Sequence, residues 1–227
     1  MSNISIIIPT LNESKNLPLV LSDLSVINEI SEIIIIDSES NDKTEDISKL
    51  YGAKFYKLNK KNRGLQLNYG AKKAKFDWLL FIHADSRLKD NWYKEIKYVC
   101  NKNKKFIYFF RFKIINKKII FRLLEILVNI RSNFFKKPYG DQGLLIHRNN
   151  FSLHSGYREI PLMEDIDFIN RIHNKKFLLP LRSSIFTSSR KWDNQNLFKQ
   201  SYKNWLLRRK WLRGDSMKSI YWEYYKK

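Results

Sequence analysis

Residues 4–13 read ISIIIPTLNE and residues 33–42 read IIIIDSESND. Each is a run of β-branched apolar residues that stops at a polar cluster. A run this short, apolar at consecutive positions, is a strand covered on both faces rather than a helix. Working outward, strands are predicted over 4–10, 33–37, 54–58 and 78–83. Between them lie helix-like segments. Residues 14–27 place Leu17, Val20, Leu21, Leu24 and Ile27 at helical spacing. Residues 42–50 open with Asp42 and Glu45 spaced as a capping box. Residues 63–75 and 90–101 complete the series. Strand–helix alternation of this kind implies an α/β fold with a mostly parallel sheet and helices on both faces. Farther on the pattern loosens into a strand over 106–115, a helix over 121–135, a strand over 143–148 and a helix over 164–173. In the first of these helices Leu123, Leu124, Leu127, Val128 and Ile130 are apolar; in the second, Ile166, Ile169 and Ile172 share one side. No repeat or low-complexity linker interrupts the chain.

A chain of 227 residues suits one domain with an appended tail, and 43% hydrophobic content argues for a folded core. The net charge of +21 attracts polyanions such as nucleic acid, anionic membrane or phosphorylated substrates. Its Lys, Ile and Asn richness also fits a drift toward AT-rich codons, with the lysines as solvated surface. A single cysteine, Cys100, permits no internal disulfide and fits a reducing compartment. The first residues read as a strand rather than a signal peptide. The best apolar run, 121–130, is too short to span a bilayer and carries Arg122 and Glu125. A cytoplasmic protein, soluble or peripheral to the inner face of the membrane, is expected.

In open α/β sheets, ligands bind beyond the carboxyl ends of the strands. Three predicted strand ends are polar: Pro9-Thr10-Leu11-Asn12-Glu13, Asp37-Ser38-Glu39-Ser40-Asn41-Asp42, and His83-Ala84-Asp85-Ser86. Far apart in sequence, they should meet at one edge. Asp37 and Asp85 follow their strands immediately and are candidate ligand-binding carboxylates, whereas Asp42 reads as a helix cap.

Five segments together resemble the inverting GT-A glycosyltransferases of family 2: SIIIPTLNES (5–14), IIIIDSESNDKT (33–44), RGLQLNYGAKKAKFDWLLFIHADS (63–86), GDQGLLIHRNNF (140–151) and GYREIPLMEDIDFINRI (156–172). The order of the HAD, GDQ and PLMEDI elements and a late basic-Trp element is similar to a bacterial subgroup, the radical-SAM/selenodomain-associated transferases. The likeness runs over residues 4–192, which implies a GT-A catalytic domain at 1–192 and a basic aromatic helical tail at 193–227.

The resemblance implies roles. Pro9, Thr10, Asn12 and Glu13 border the nucleotide, and Asp37 accepts from its base, commonly uracil. Arg63, Gln66 and Asn68 fall on a second nucleotide-binding segment, with Arg63 offsetting diphosphate charge or serving as a surface cation. Gly70 allows close helix packing. Asp85 occupies the metal-binding position of an Asp-x-Asp motif in which His83 replaces the first carboxylate. It would hold Mg²⁺ or Mn²⁺ shared with the donor phosphates. Asp165 is the catalytic base, with Glu164 the other candidate; Asp167 is structural. Asp141 and Gln142 sit beside the donor sugar. Arg190 binds the leaving diphosphate and Trp192 stacks on sugar or lipid, or anchors a loop.

The tail places Phe198, Tyr202, Trp205 and Leu206 at helical spacing among Lys199, Lys203, Arg208 and Arg209. It is read as a helix packed on the catalytic domain, with a membrane-surface helix as the alternative. The donor implied is a nucleotide sugar, UDP-linked in the first instance, and the acceptor a hydroxyl on a small molecule, lipid or glycan. Two other classes fit the residues less well. A sugar-phosphate nucleotidyltransferase would want a Gly-rich first loop, and this one is Pro-Thr-Leu-Asn-Glu-Ser. A nucleic-acid-binding protein finds no recognised motif here, and no nucleic-acid partner is expected.

Overall fold

The computed structural model describes residues 3–25, 31–89, 91–160, 162–188 and 197–225. Among them, eight strands form one sheet: β1 (Ile4–Thr10), β2 (Ser31–Asp37), β3 (Lys54–Lys57), β4 (Trp78–Phe81), β5 (Ser86–Leu88), β6 (Ile107–Ile115), β7 (Leu144–His147) and β8 (Leu178–Ser188). Their order is β3-β2-β1-β4-β7-β6-β8-β5. Only β7 and β5 run against the rest, so the sheet is mostly parallel, as expected.

The helices are α1 (Leu17–Leu24), α2 (Thr44–Leu50), α3 (Arg63–Lys73), α4 (Trp92–Cys100), α5 (Ile119–Asn133), α6 (Arg148–Leu153), α7 (Glu164–Arg171), α8 (Leu197–Leu212) and α9 (Met217–Tyr225). Alternate residues of β1 supply two cores. Ile4, Ile6 and Ile8 pack with Leu17 and Leu21 of α1 and Trp92 and Ile96 of α4. Ile7 packs on the other face with Leu67 and Ala71 of α3, Phe151 of α6 and Phe168 of α7. That two-sided cover is why the strand sequences are continuously apolar.

Close packing of α3 on β1 and β2 depends on Gly70. A Cβ there would collide with Ile7 Cγ2 and lie 3.2 Å from Ile36 Cγ1. Gly70→Ala is therefore expected to lower the unfolding free energy by about 1–3 kcal/mol through overpacking. Urea unfolding followed by Trp fluorescence measures it; an unchanged midpoint would mean the helix shifts freely.

Three local expectations need correction. The capping box does not form: Lys43 takes the cap position of α2 and Glu45 pairs with Lys49 at 2.6 Å. Asp42 instead ties two loops, accepting from Ser14 N–H and Thr44 N–H, each at 3.0 Å. Burial opposes its charge, but the bonds from Thr44 and Ser14 prevail and hold its carboxyl down at about 2. The helix predicted over 14–27 is described as Leu17–Leu24, and residues 26–30 lie outside the described ones. Finally β5, α6 and the long β8 were not foreseen. In β8, Pro180 sits where the pairing with β6 shifts register, a place where a missing N–H is tolerated.

Candidate active site

Parallel pairing brings the predicted strand ends to one edge. Thr10 stands opposite Asp37 across β1 and β2. Because β7 runs antiparallel to β4, with Phe81 opposite Leu144, the segment preceding β7 also arrives there. That segment is the 3₁₀ turn Gly140–Gln142. The start of α7 completes the group.

At the β1/β2 corner Asp37 is buried and engaged. Its Oδ1 accepts from Thr10 Oγ1 at 2.9 Å and from Ser40 Oγ at 2.5 Å, and its Oδ2 from Ser40 N–H at 2.8 Å. The Ser-Glu-Ser run thus folds back on Asp37. Asn12, at φ 56°, accepts from Asn41 N–H at 2.9 Å, and Glu13 N–H donates to Thr44 Oγ1 at 2.9 Å. Pro9 is buried in β1. Gln66 lies beneath, donating its amide to the carbonyls of Thr10 and Ile36 at 2.9 and 2.6 Å. Asn68 exchanges two bonds with the Tyr157 backbone, at 2.7 and 2.9 Å. Gln66 and Asn68 hold the backbone around the corner, and these bonds occupy their amides.

Deeper along the edge lies a cavity of about 400 Å³. Its polar lining comprises Arg63, His83, Arg131, Asp141, Asp165 and Arg208. Phe112, Leu124, Leu127, Val128, Leu162 and Met163 supply apolar lining. His83 faces the cavity, whereas Asp85, half-buried in the turn before β5, is not among its lining.

Asp165 is oriented from both sides. Gly140 N–H donates to Oδ2 at 2.7 Å and Ile166 N–H to Oδ1 at 2.8 Å. An ionised carboxylate has about four acceptor positions, so capacity remains toward the cavity. Gly140 is required by crowding: a Cβ would lie 2.9 Å from His83 Nε2 and 3.2 Å from Asp165 Oδ2. Those two side chains therefore converge on it. Met163, just before, adopts the left-handed conformation at φ 67°, a strained backbone for a non-glycine residue of the kind that clusters at functional sites.

Glu164 is buried and forms an ion pair with Arg63 across the edge. Burial pushes its carboxyl above the usual value, Arg63 pulls it back, and Asp165 adds to the rise. Burial likewise works against the Arg63 charge, but Glu164 and Asp165 outweigh it and raise that pKa. Among the described residues Glu164 Oε2 has no hydrogen-bond partner. Glu164 also borders a small pocket of about 20 Å³, shared with His83, Asp165 and Tyr157, which is room for one water. Asp167 pairs with Arg158 and Arg171 away from the cavity, as its structural reading anticipates.

The sequence profile described as Glycosyl transferase family 2 matches residues 5–162. The chain belongs to this family. A 4,4'-diaponeurosporenoate glycosyltransferase of Staphylococcus haemolyticus is 39% identical over 93 residues, which is 38% of this chain and 25% of that protein. The chain thus spans about a quarter of the length of the curated relative it matches. Among solved structures, S. aureus TarS 1-349 in complex with UDP-GlcNAc superposes with a TM-score of 0.66 at 15% identity, covering 82% of this chain and 58% of that one. GalNAc-T7 with UDP, GalNAc and Mn2+ gives 0.65 at 17% identity, over 83% and 44% respectively. At such identities the likeness is one of fold.

In this family 2 chain the site includes residues to which the sequence reading gave no site role. Arg131 of α5 and Arg208 of α8 stand on the Tyr139 ring, 3.8 and 5.4 Å from its centroid. Burial lowers the Arg131 pKa, and the Asp141 charge opposes that. Gln142, expected beside the sugar, is instead buried and locked. It accepts from Ser132 Oγ at 2.6 Å and donates to Phe110 O at 3.2 Å. The tail packs inward: α8 and α9 bury Leu207 and Ile220, while Asn204, Arg208 and Tyr224 line the cavity. Arg190 and Trp192 lie outside the described residues. Among the described residues no cluster of three or more His, Cys, Asp or Glu could hold a metal, and no helix is long and apolar enough to cross a membrane.

Proposed function

We propose that this chain is an inverting glycosyltransferase that moves a sugar from a UDP-sugar to a hydroxyl acceptor, with Asp165 as the base. The observation that carries it is a single cavity where an oriented carboxylate faces three guanidiniums. Asp165 takes the acceptor's proton as that oxygen attacks the anomeric carbon. Arg63, Arg131 and Arg208 offset the charge of the departing diphosphate from fixed positions, Arg63 being held by Glu164. Asp141 is placed to accept from sugar hydroxyls. Thr10, Asn12, Glu13 and Asp37 shape the nucleoside end. The UDP-bound TarS and GalNAc-T7 structures support a UDP donor by likeness of fold. Residues 1–192 would be the catalytic unit and the tail its cover.

His83 and Asp85 are the protein groups that would hold a Mn²⁺ or Mg²⁺ ion. With no third such side chain beside them among the described residues, most of the coordination shell would fall to donor phosphates and water, which suits a hard cation. Bound there, the ion would neutralise diphosphate charge as a Lewis acid. Thermal-shift titration with UDP tests the reading. Stabilisation is expected with Mn²⁺, and Asp85→Ala should weaken it about tenfold or more. No shift with any nucleoside diphosphate would count against a nucleotide-sugar enzyme. Undiminished metal dependence in Asp85→Ala would remove Asp85 from the ion.

A further inference from the structure

Helix α5 packs Phe121, Leu124 and Val128 on Phe112 and Ile114 of β6, and yet more apolar side chains remain on its outer face. Its polar side chains face the protein, where they satisfy the backbone of β6 beyond Tyr108, the position at which β7 pairs. Glu125 Oε1 accepts from Ile114 N–H at 2.6 Å. Asn129 accepts from Phe112 N–H at 2.9 Å and donates to Phe112 O at 3.0 Å. Arg122 donates to the carbonyls of Ile114 and Asn116 at 2.9 and 2.5 Å. With those groups inward, the opposite stripe is apolar and bare. Ile119, Leu123, Ile126, Ile130, Phe134 and Phe135 are exposed by between 42% and 85%. The first five recur at helical spacing, so they lie on one face. Contiguous exposed apolar surface of this kind marks an interaction site.

Charge selects the partner. Lys117 and Lys118 at one end and Lys137 at the other are exposed and frame the stripe. The chain carries a net +21, so pairing the stripe with a second copy would bring like charges together. An anionic lipid surface meets both demands: acyl chains take the apolar stripe and headgroup phosphates take the lysines. The same helix lends Leu124, Leu127 and Val128 to the cavity wall. Leu127, exposed like its neighbours Leu123 and Ile130 of the stripe, joins the cavity to that surface.

We propose that α5 lies stripe-down in the surface of an anionic bilayer and holds the mouth of the cavity at the lipid–water boundary, so that the acceptor hydroxyl is carried by a membrane lipid. The docking stands on the helix alone; the acceptor class rests on the glycosyl-transfer reading.

Co-sedimentation with vesicles tests it. The chain should bind phosphatidylcholine vesicles containing phosphatidylglycerol, and bind pure phosphatidylcholine, or either at high salt, about tenfold more weakly or less. The triple variant Leu123→Ser, Ile126→Ser, Ile130→Ser alters only the exposed stripe. It should lose vesicle binding about tenfold or more while keeping its circular dichroism and its UDP-induced thermal shift. Wild-type chain that stays in the supernatant, or a triple variant that sediments equally well, overturns the docking. So does a wild-type dimer in analytical ultracentrifugation that the triple variant dissolves, since the stripe is then an interface between copies. Vesicle binding with no UDP response would retire the glycosyl-transfer reading and leave the docking intact.

Discussion

Asp165→Asn should bind UDP with Mn²⁺ as the wild type does and release UDP from a UDP-sugar about 10³-fold more slowly, within the span that a general base contributes. The amide keeps an oxygen for the Gly140 N–H, which donates at 2.7 Å, so the loop before β7 stays in place. What is lost is the ability to take a proton, together with the second oxygen, which accepts from Ile166 N–H at 2.8 Å. The measurement is UDP release with a lipid extract supplying acceptors, beside a thermal-shift titration of UDP. Transfer at near wild-type rate would remove Asp165 from the role of base and pass the question to Glu164. Glu164 is buried against Arg63 and does not line the cavity, so an acceptor hydroxyl there meets Asp165 first.

Arg63→Met acts on stability first. Removing one partner of a buried ion pair leaves the other charge uncompensated, at a cost of about 3–5 kcal/mol. Arg63 retains 39% exposure and Glu164 only 1%, so the low end, about 3 kcal/mol, is expected. The loss should depend on pH. Burial already raises the Glu164 carboxyl in the folded chain above its unfolded value. A raised carboxyl contributes stability at low pH that disappears as pH climbs through the folded value. Without Arg63 the folded value rises further, so Arg63→Met should be nearest to wild type in mild acid and fall behind it above neutrality. Urea unfolding at both conditions decides the matter. A destabilisation that does not vary with pH would place its cause in lost packing.

The parallel half of the sheet was legible because its strands are buried on both faces and end in polar clusters. Thr10, Asp37 and His83 meet at one edge for that reason alone. β8 was not legible. Pro180 and the Arg182-Ser183-Ser184 run break its pattern, and its buried apolar residues, Leu178, Leu181 and Ile185, fall at uneven spacing. The apolar spacing of α5 identified a helix correctly but said nothing about which face turns inward. Its inner face is decided by β6 backbone groups that need partners, and these are invisible in a one-dimensional pattern. Gln66, Asn68 and Gln142 sit in the segments expected to carry the site, yet their amides are bound to backbone or to Ser132. Arg131, and Arg208, which was read only as a basic tail residue, were given no site role for the opposite reason. They belong to no motif and reach the cavity only because α5 docks on β6 and the tail returns across the edge.

The pairing of Arg63 with Glu164 joins residues 101 positions apart in the chain. Loop closure over such a span comes only after the intervening strands have found their places. On the proposed reading, a nascent chain released before Asp165 would hold the first strand ends without the proposed base, and one released before Arg208 would lack part of the cavity lining. Turnover would then report that a given molecule has brought its distant segments together.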